Sequence, residues 1–303
     1  MSETEDSRSD RGLTGYALAC RRAGEPLVQC DGTWWREVGP CFFRPLFPFL
    51  DVPAGRAGLP SRSALGGCQY PSCAGGDPPN SYLAYLAFTD AHDYCLDHLR
   101  RGDRWEVRSA EKRLVIRPLS NSAEFKARAH PVYLEFQGRT RYRYLRSRVR
   151  KPEFDRWVDA EFADPGLVAL GAWAGDSLVA VSLSRVVGEA WVYSSMFTSN
   201  DALRSHAASL MLHHVRCLAA AVDGVTMVFA GMRKPRAADA SVDAFYLQRG
   251  ATIVRRSAVL RVNPLARWLL PRLRPELWGR LQGDFERAQK DRSQPARPRQ
   301  SQP

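Results

Sequence analysis

The sequence predicts an α/β (α+β) fold built on a mixed, mostly antiparallel sheet flanked by helices. Three apolar runs, LVALGAW, LVAVSLSRVV and AWVYSSMF, are separated only by AGDS and GE, the pattern of an antiparallel meander. Behind them, Leu203, Ala207, Leu210, His214 and Leu218 recur at helical intervals up to the stop at Gly224. TMVFAG, DASVDAFYLQR and ATIVRRSAVLRV then read as strand, helix and strand, which makes the order of this half β-β-β-α-β-α-β.

At 303 residues the chain is long enough for two domains, because a single core rarely grows beyond ~250 residues. A composition of 45% hydrophobic and 25% charged residues is that of a globular protein. No run approaches the roughly 18 consecutive apolar residues of a membrane span. The start, MSETEDSRSD, carries neither a basic n-region nor an apolar h-region, so the expected location is cytoplasmic. Seven irregularly spaced cysteines predict reduced thiols rather than a disulfide framework. A net charge of +12 calls for an anionic partner, and nucleic acid, a lipid surface and a phosphorylated cofactor all qualify.

Taken in order, residues 1–12 and 287–303 are polar and read as disordered tails, the second one basic. REVGPCFFRPLFPFL is strand-like between its prolines, and the Gly/Pro/Ser-rich stretch from Asp51 to Pro79 reads as a long loop. YLAYLAF predicts a buried strand, TDAHDYCLDHLRR a capped helix and RWEVRSAEKRLVIRPL a hairpin. A helix follows over Ser122–Gln137. After the arginine-dense RTRYRYLRSRVRK comes a second helix, in which Phe154, Trp157, Val158, Glu161 and Phe162 share a face behind Pro152. Ser199, Asn200 and Asp201 supply the cap of the long helix that runs to about Val222. The segment 266–286, with Trp268, Leu273 and Trp278 beside arginines and interrupted by Pro271 and Pro275, is an amphipathic element expected to pack back on the first half.

Two segments of the second half resemble the GNAT superfamily of N-acyltransferases. Ala244-Phe245-Tyr246-Leu247-Gln248-Arg249-Gly250-Ala251 is similar to that family's aromatic-Tyr-x-x-x-Gly segment, with Ala251 in place of the usual aromatic. Arg204-Ser205-His206-Ala207-Ala208-Ser209 stands where the family carries Gln/Arg-x-x-Gly-x-Gly/Ala, and both glycines are absent. The resemblance implies acyl transfer to an amine. Tyr246 would be the general acid for the departing thiolate, and acyl-CoA or acetyl-CoA the co-substrate. The cofactor would be held by Met196, Phe197 and Arg204 through Ser209 at a helix N-terminus, and no metal is implied. The weakened cofactor motif and the preceding α/β half also resemble the tandem-GNAT, Fem-type transferases, some of which draw their acyl group from aminoacyl-tRNA. On that reading residues 13–130 form a degenerate GNAT-like half and 131–265 the acyltransferase domain. A non-catalytic basic module that binds RNA, tRNA or protein is the third alternative. The acceptor amine and the oligomeric state are left open.

Three further groups of residues admit a site and a plainer use. Arg139, Arg141, Arg143, Arg146, Arg148, Arg150 and Lys151, with Tyr142 and Tyr144, can grip phosphates or form a solvated face, and the second use is expected. His92, Cys95 and His98 lack the tight paired spacing of a structural zinc site. Glu189, Tyr193, Ser194, His206 and Asp243 are the polar groups near the expected active site, and no motif selects a base among them.

Overall fold

The computed structural model describes residues 3–52, 58–73, 75–140, 146–233, 240–273 and 275–282. The chain forms two compact units, residues 1–25 with 85–254 and residues 26–84 with 255–303. Their limits fall at 25/26, 84/85 and 254/255, away from the 130/131 boundary drawn from sequence.

In the first unit, helix α1 spans Glu3–Arg22, so helical backbone reaches into the stretch expected to be a tail. The sheet order is β6 (Val115–Pro118), β7 (Val168–Ala174), β8 (Ser177–Val187), β9 (Ala190–Thr198), β10 (Met227–Met232) and the 85–88 portion of β5 (Ser81–Phe88). All neighbours are antiparallel except β9 and β10. This is the mixed, mostly antiparallel sheet expected, with the meander in place. The strand beyond β10 comes from the first half of the chain, a pairing of long sequence separation that no local pattern announces.

One sheet face is covered by α3 (Ser122–Thr140) and α4 (Lys151–Phe162), which bury Phe125, Tyr133, Phe154, Trp157 and Phe197 together. Asn121 starts α3 by accepting the N–H groups of Ala123 at 2.8 Å and Glu124 at 3.2 Å. The other face is covered by α2 (Arg101–Glu111), α5 (Asn200–Arg204), α6 (Ala207–Ala220) and α7 (Ala240–Gln248).

Two elements differ from the sequence expectation on this side. The expected helix over TDAHDYCLDHLRR and the hairpin after it are replaced by a 3-10 turn at Leu96–His98, helix α2 and the single strand β6. The alternation of Trp105, Val107 and neighbouring polar residues imitates a strand. Val107, Ala110 and Leu114, spaced 3 and 4 residues apart, instead bury in one helix-side core with α6. The long helix after Ser199 is broken in two. Ser199 caps α5 by accepting the Ala202 N–H at 3.2 Å, and the chain then turns at His206, with φ 56° and ψ 30°, before α6 begins.

Helix α1 lies on α4 and β8. A Cβ added at Gly12 would stand 2.5 Å from the Val186 carbonyl oxygen, and one at Gly15 would stand 2.6 Å from Asp164 Oδ1. Backbone cannot yield as a flexible side-chain end can. Gly12→Ala is therefore expected to destabilise the protein by about 1–3 kcal/mol, read as a lower urea midpoint at unchanged slope.

The second unit carries the order β1 (Leu27–Cys30), β2 (Thr33–Gly39), β3 (Phe42–Pro45), β4 (Gly67–Pro71) and the 255–262 portion of β11 (Thr252–Val262). Strands β3 and β4 are parallel and the other pairs antiparallel. Strand β4 lies inside the stretch read as a loop, because five residues are too few to show an alternation among so many glycines. Trp35, Phe43, Cys68, Tyr70 and Val259 form the core of one face. After β11 come α8 (Pro264–Leu273) and α9 (Pro275–Gln282), and the Leu281 carbonyl accepts Ser81 Oγ at 2.6 Å and Gln69 Nε2 at 3.0 Å. The C-terminal segment thus folds back on β4 and the start of β5, elements of the first half, as expected.

Candidate active site

Strands β9 and β10 run parallel but pair only at Ala190, Trp191 and Val192 with Met227, Val228 and Phe229. Among the described residues, β10 pairs with β9 no further than Val192, so the two strands part from Tyr193 onward. A bulge reinforces the separation. Leu183 pairs with Ser195 and Ser184 with Tyr193, which leaves Ser194 as the extra residue, its hydroxyl bonded to the Leu183 carbonyl at 2.9 Å.

Tyr246, on α7, is buried in the core on the α6 side of the sheet. Its ring meets those of Phe88, Tyr193 and Phe245 edge-on, with centroids 6.3, 6.4 and 5.3 Å away. Its carbonyl accepts the Ala251 N–H at 3.0 Å as the chain turns through Gly250, whose φ is 95°. The glycine thus has the left-handed conformation that the sequence motif implied. Tyr193 is buried beside it, and its hydroxyl has no hydrogen-bond partner among the described residues. Burial drives the Tyr193 pKa well above 10, and Tyr246 pushes it the same way.

The residues expected to hold a cofactor divide into groups. Met196 is half-buried against the core that contains Tyr246. The Phe197 ring points to the opposite face, edge-on to Tyr133 at 5.3 Å, which leaves only its backbone toward the opening. Arg204 is exposed and paired with Asp201 at 2.8 Å. The Ser205 hydroxyl donates to the Ala202 carbonyl at 3.2 Å. Ala207 is fully buried and Ala208 partly so.

The start of α6 is engaged by an acid. Ser209 Oγ lies 2.6 Å from Glu106 Oε2, the same carboxylate oxygen that pairs with Arg249, and Arg249 Nε and Nη2 also donate to Ser209 at 3.2 and 2.9 Å. His206 Nδ1 stands 3.8 Å from Glu106 Oε1, and its ring meets Trp105 edge-on at 5.4 Å. Desolvation raises the Glu106 pKa, but the Ser209 hydroxyl and the Arg249 guanidinium lower it by more, so it falls below the ordinary 4.5. Stability from this cluster is therefore present above that ordinary value and is lost as pH falls through the lowered one. Glu106 and Arg249 were not selected from sequence. Glu106 sits in the segment read as a hairpin, and Arg249 read only as the last residue of a helix.

The remaining groups have structural uses. Arg148 lies over the Trp157 ring at 4.2 Å, and Arg139 donates to the Thr198 carbonyl and hydroxyl at 3.0 and 2.9 Å. Arg141, Tyr142, Arg143 and Tyr144 lie outside the described residues. The Glu189 carbonyl accepts the Thr226 N–H at 2.8 Å. All seven cysteines are free. Among the described residues, no three His, Cys, Asp or Glu side chains gather in a way that could hold a metal ion, and no helix is long and apolar enough to cross a membrane.

No protein-family model matches the chain, and no curated protein matches it in sequence. Its fold is shared with solved structures. FemX superposes with a TM-score of 0.58 at 11% identity, over 89% of this chain and 99% of that one. The C-terminal domain (DUF2156) of an Agrobacterium fabrum protein named as a lysylphosphatidylglycerol synthetase gives 0.53 at 12% identity, over 92% and 98%. A conserved protein of unknown function from Bacteroides thetaiotaomicron gives 0.53 at 9% identity, over 84% and 91%. The chain shares the fold of FemX and of the synthetase domain.

Proposed function

We propose that this protein is an acyltransferase that moves an activated acyl group onto an amine in the opening between β9 and β10, and that its donor is the aminoacyl ester of a charged tRNA. The observation that carries the choice of donor is the Glu106 carboxylate on Ser209 at the start of α6. A coenzyme A pyrophosphate brought to that helix N-terminus meets a negative charge, and the nearby cation, Arg249, is already paired with it. A tRNA ester asks for no pyrophosphate there. The likeness to FemX and to the synthetase domain fits this reading, and so does the net charge of +12.

In the reaction the amine nitrogen attacks the ester carbonyl carbon, a C–N bond forms, and the bond to the ribose oxygen breaks. Backbone N–H groups of β9 at the opening polarise the carbonyl. The Tyr246 hydroxyl gives its proton to the departing ribose oxygen. The attacking nitrogen of the tetrahedral adduct loses its extra proton to solvent as the amide forms, and the tyrosine is reprotonated.

Thermal melts and filter binding test the donor together. Acetyl-CoA and free CoA are expected to leave the melting temperature of the wild type unchanged, whereas Glu106→Ala, which uncovers Arg249 and the start of α6, gains a dose-dependent rise. At physiological ionic strength, tRNA charged with labelled amino acids should bind more tightly than the same tRNA uncharged. A saturable rise of the wild type with acetyl-CoA would return the donor to acyl-CoA. Equal binding of charged and uncharged tRNA would favour a non-catalytic RNA-binding module.

A further inference from the structure

Helix α2 turns Val107 and Ala110 inward, into the core that it shares with α6. Its opposite face carries Arg101, Trp105, Arg108 and, one residue past the helix end, Lys112, all of them exposed. Steps of 4, 3 and 4 residues stack them in one stripe along the axis. The acids of the helix lie off that stripe. Asp103 stands 3.9 Å from Arg249, Glu106 is held by Ser209 and Arg249, and Glu111 acts on His213 and His214. Arg104, also to one side, pairs with Asp97 at 2.9 Å. Among the described residues, Arg101, Arg108 and Lys112 have no ion pair or side-chain hydrogen bond.

Trp105 is 62% exposed. The His206 ring crosses it at 72° with centroids 5.4 Å apart, so the indole is steadied from the turn that opens α6 while most of its surface is left to solvent. Arg101 and Arg108 lie about 10 Å apart along the helix, with the indole between them. An aromatic ring flanked by cations that nothing neutralises suits a nucleotide strand, because the ring stacks on a base and the cations hold the phosphates on either side. Paired strands hide their base faces, so the strand must be unpaired. An anionic membrane fits this face less well. An interfacial helix needs a broad apolar side, and here Trp105 is the one large apolar side chain in the stripe.

We propose that the exposed face of α2 is the docking surface for the unpaired 3′ end of the donor tRNA, with Trp105 stacking on a base and Arg101 and Arg108, assisted by Lys112, holding its phosphates. This rests on the reading that the donor is a charged tRNA. The stripe borders the turn at His206, so a strand lying on it leads toward the start of α6, and its phosphates are gripped on the outer face of α2 rather than beside the Glu106 carboxylate.

The test is filter binding of the full chain with intact tRNA and with tRNA trimmed of its unpaired 3′ nucleotides, beside flotation with phosphatidylglycerol vesicles. Trp105→Ala is expected to weaken binding of intact tRNA, charged or not, by about 10-fold or more and to leave trimmed tRNA unaffected, whereas Trp105→Phe, which keeps a ring, retains most of the affinity. Arg101→Gln combined with Arg108→Gln should flatten the slope of log affinity against log salt by about 1.4, the share of two single-strand phosphates. These side chains are exposed, so melting temperatures should stay at the wild-type value and a loss of binding is not a loss of fold. Unchanged affinity for intact tRNA in Trp105→Ala, an equal loss with trimmed tRNA, or a loss of vesicle binding in place of tRNA binding would overturn the proposal, the last assigning the stripe to a lipid surface. The donor reading fails separately. If charged and uncharged tRNA bind the wild type alike while Trp105→Ala weakens both, the docking surface stands and the aminoacyl donor falls; a wild type that holds no tRNA overturns both.

Discussion

Tyr246→Phe is expected to lower acyl transfer by about 100-fold or more while leaving the melting temperature nearly unchanged. The ring is what packs against Phe88, Tyr193 and Phe245, and phenylalanine keeps that ring. The hydroxyl is what a leaving group needs, and its loss costs about 1 kcal/mol of stability at most. Tyr193→Phe is the matched control on the facing strand. Its hydroxyl is buried without an acceptor among the described residues, so removing it is neutral or stabilising and should leave turnover close to wild type. Initial rates and melts on both variants decide the assignment. Should Tyr193→Phe lose activity and Tyr246→Phe keep it, the proton donor is the β9 tyrosine.

The parts of this fold legible in sequence were those whose information is local. AGDS and GE between apolar runs specify a meander, and Phe245 through Gly250 specify a helix stopped by a left-handed glycine. The parts that stayed hidden depend on distant partners. Nothing near Tyr85–Phe88 announces pairing with Val228–Met232. The segment containing Glu106 alternates like a strand, and only packing against α6 makes it a helix. That error concealed the carboxylate at the start of α6, the group that bears on the choice of donor. The turn at His206 was hidden for a related reason: a non-glycine residue in a left-handed conformation leaves no mark in the hydrophobic period.

The largest stability effect is expected at Arg185, which is 1% exposed on β8. Its guanidinium pairs with Glu161 at 2.5 Å and Asp164 at 2.9 Å and lies over the Tyr16 ring at 4.4 Å, so one side chain ties α4, the turn after it and α1 to the sheet. Both acids have other duties: Glu161 accepts the Trp157 indole N–H at 2.8 Å, and Asp164 accepts the Gly166 N–H at 3.0 Å. Arg185→Met leaves both carboxylates buried without their cation and should cost about 3–5 kcal/mol, measured as a drop in the urea midpoint. Adding Glu161→Gln and Asp164→Asn should recover much of that loss, because neutral amides need no counter-charge in a place where charges do. A loss below about 1 kcal/mol in the single variant would mean that water reaches the cluster and the pair is a surface one in energy. The cluster lies against α4, across the sheet from Tyr246. Loosening it should therefore reduce the fraction of folded protein while leaving turnover per folded molecule unchanged, the reverse of what Tyr246→Phe does.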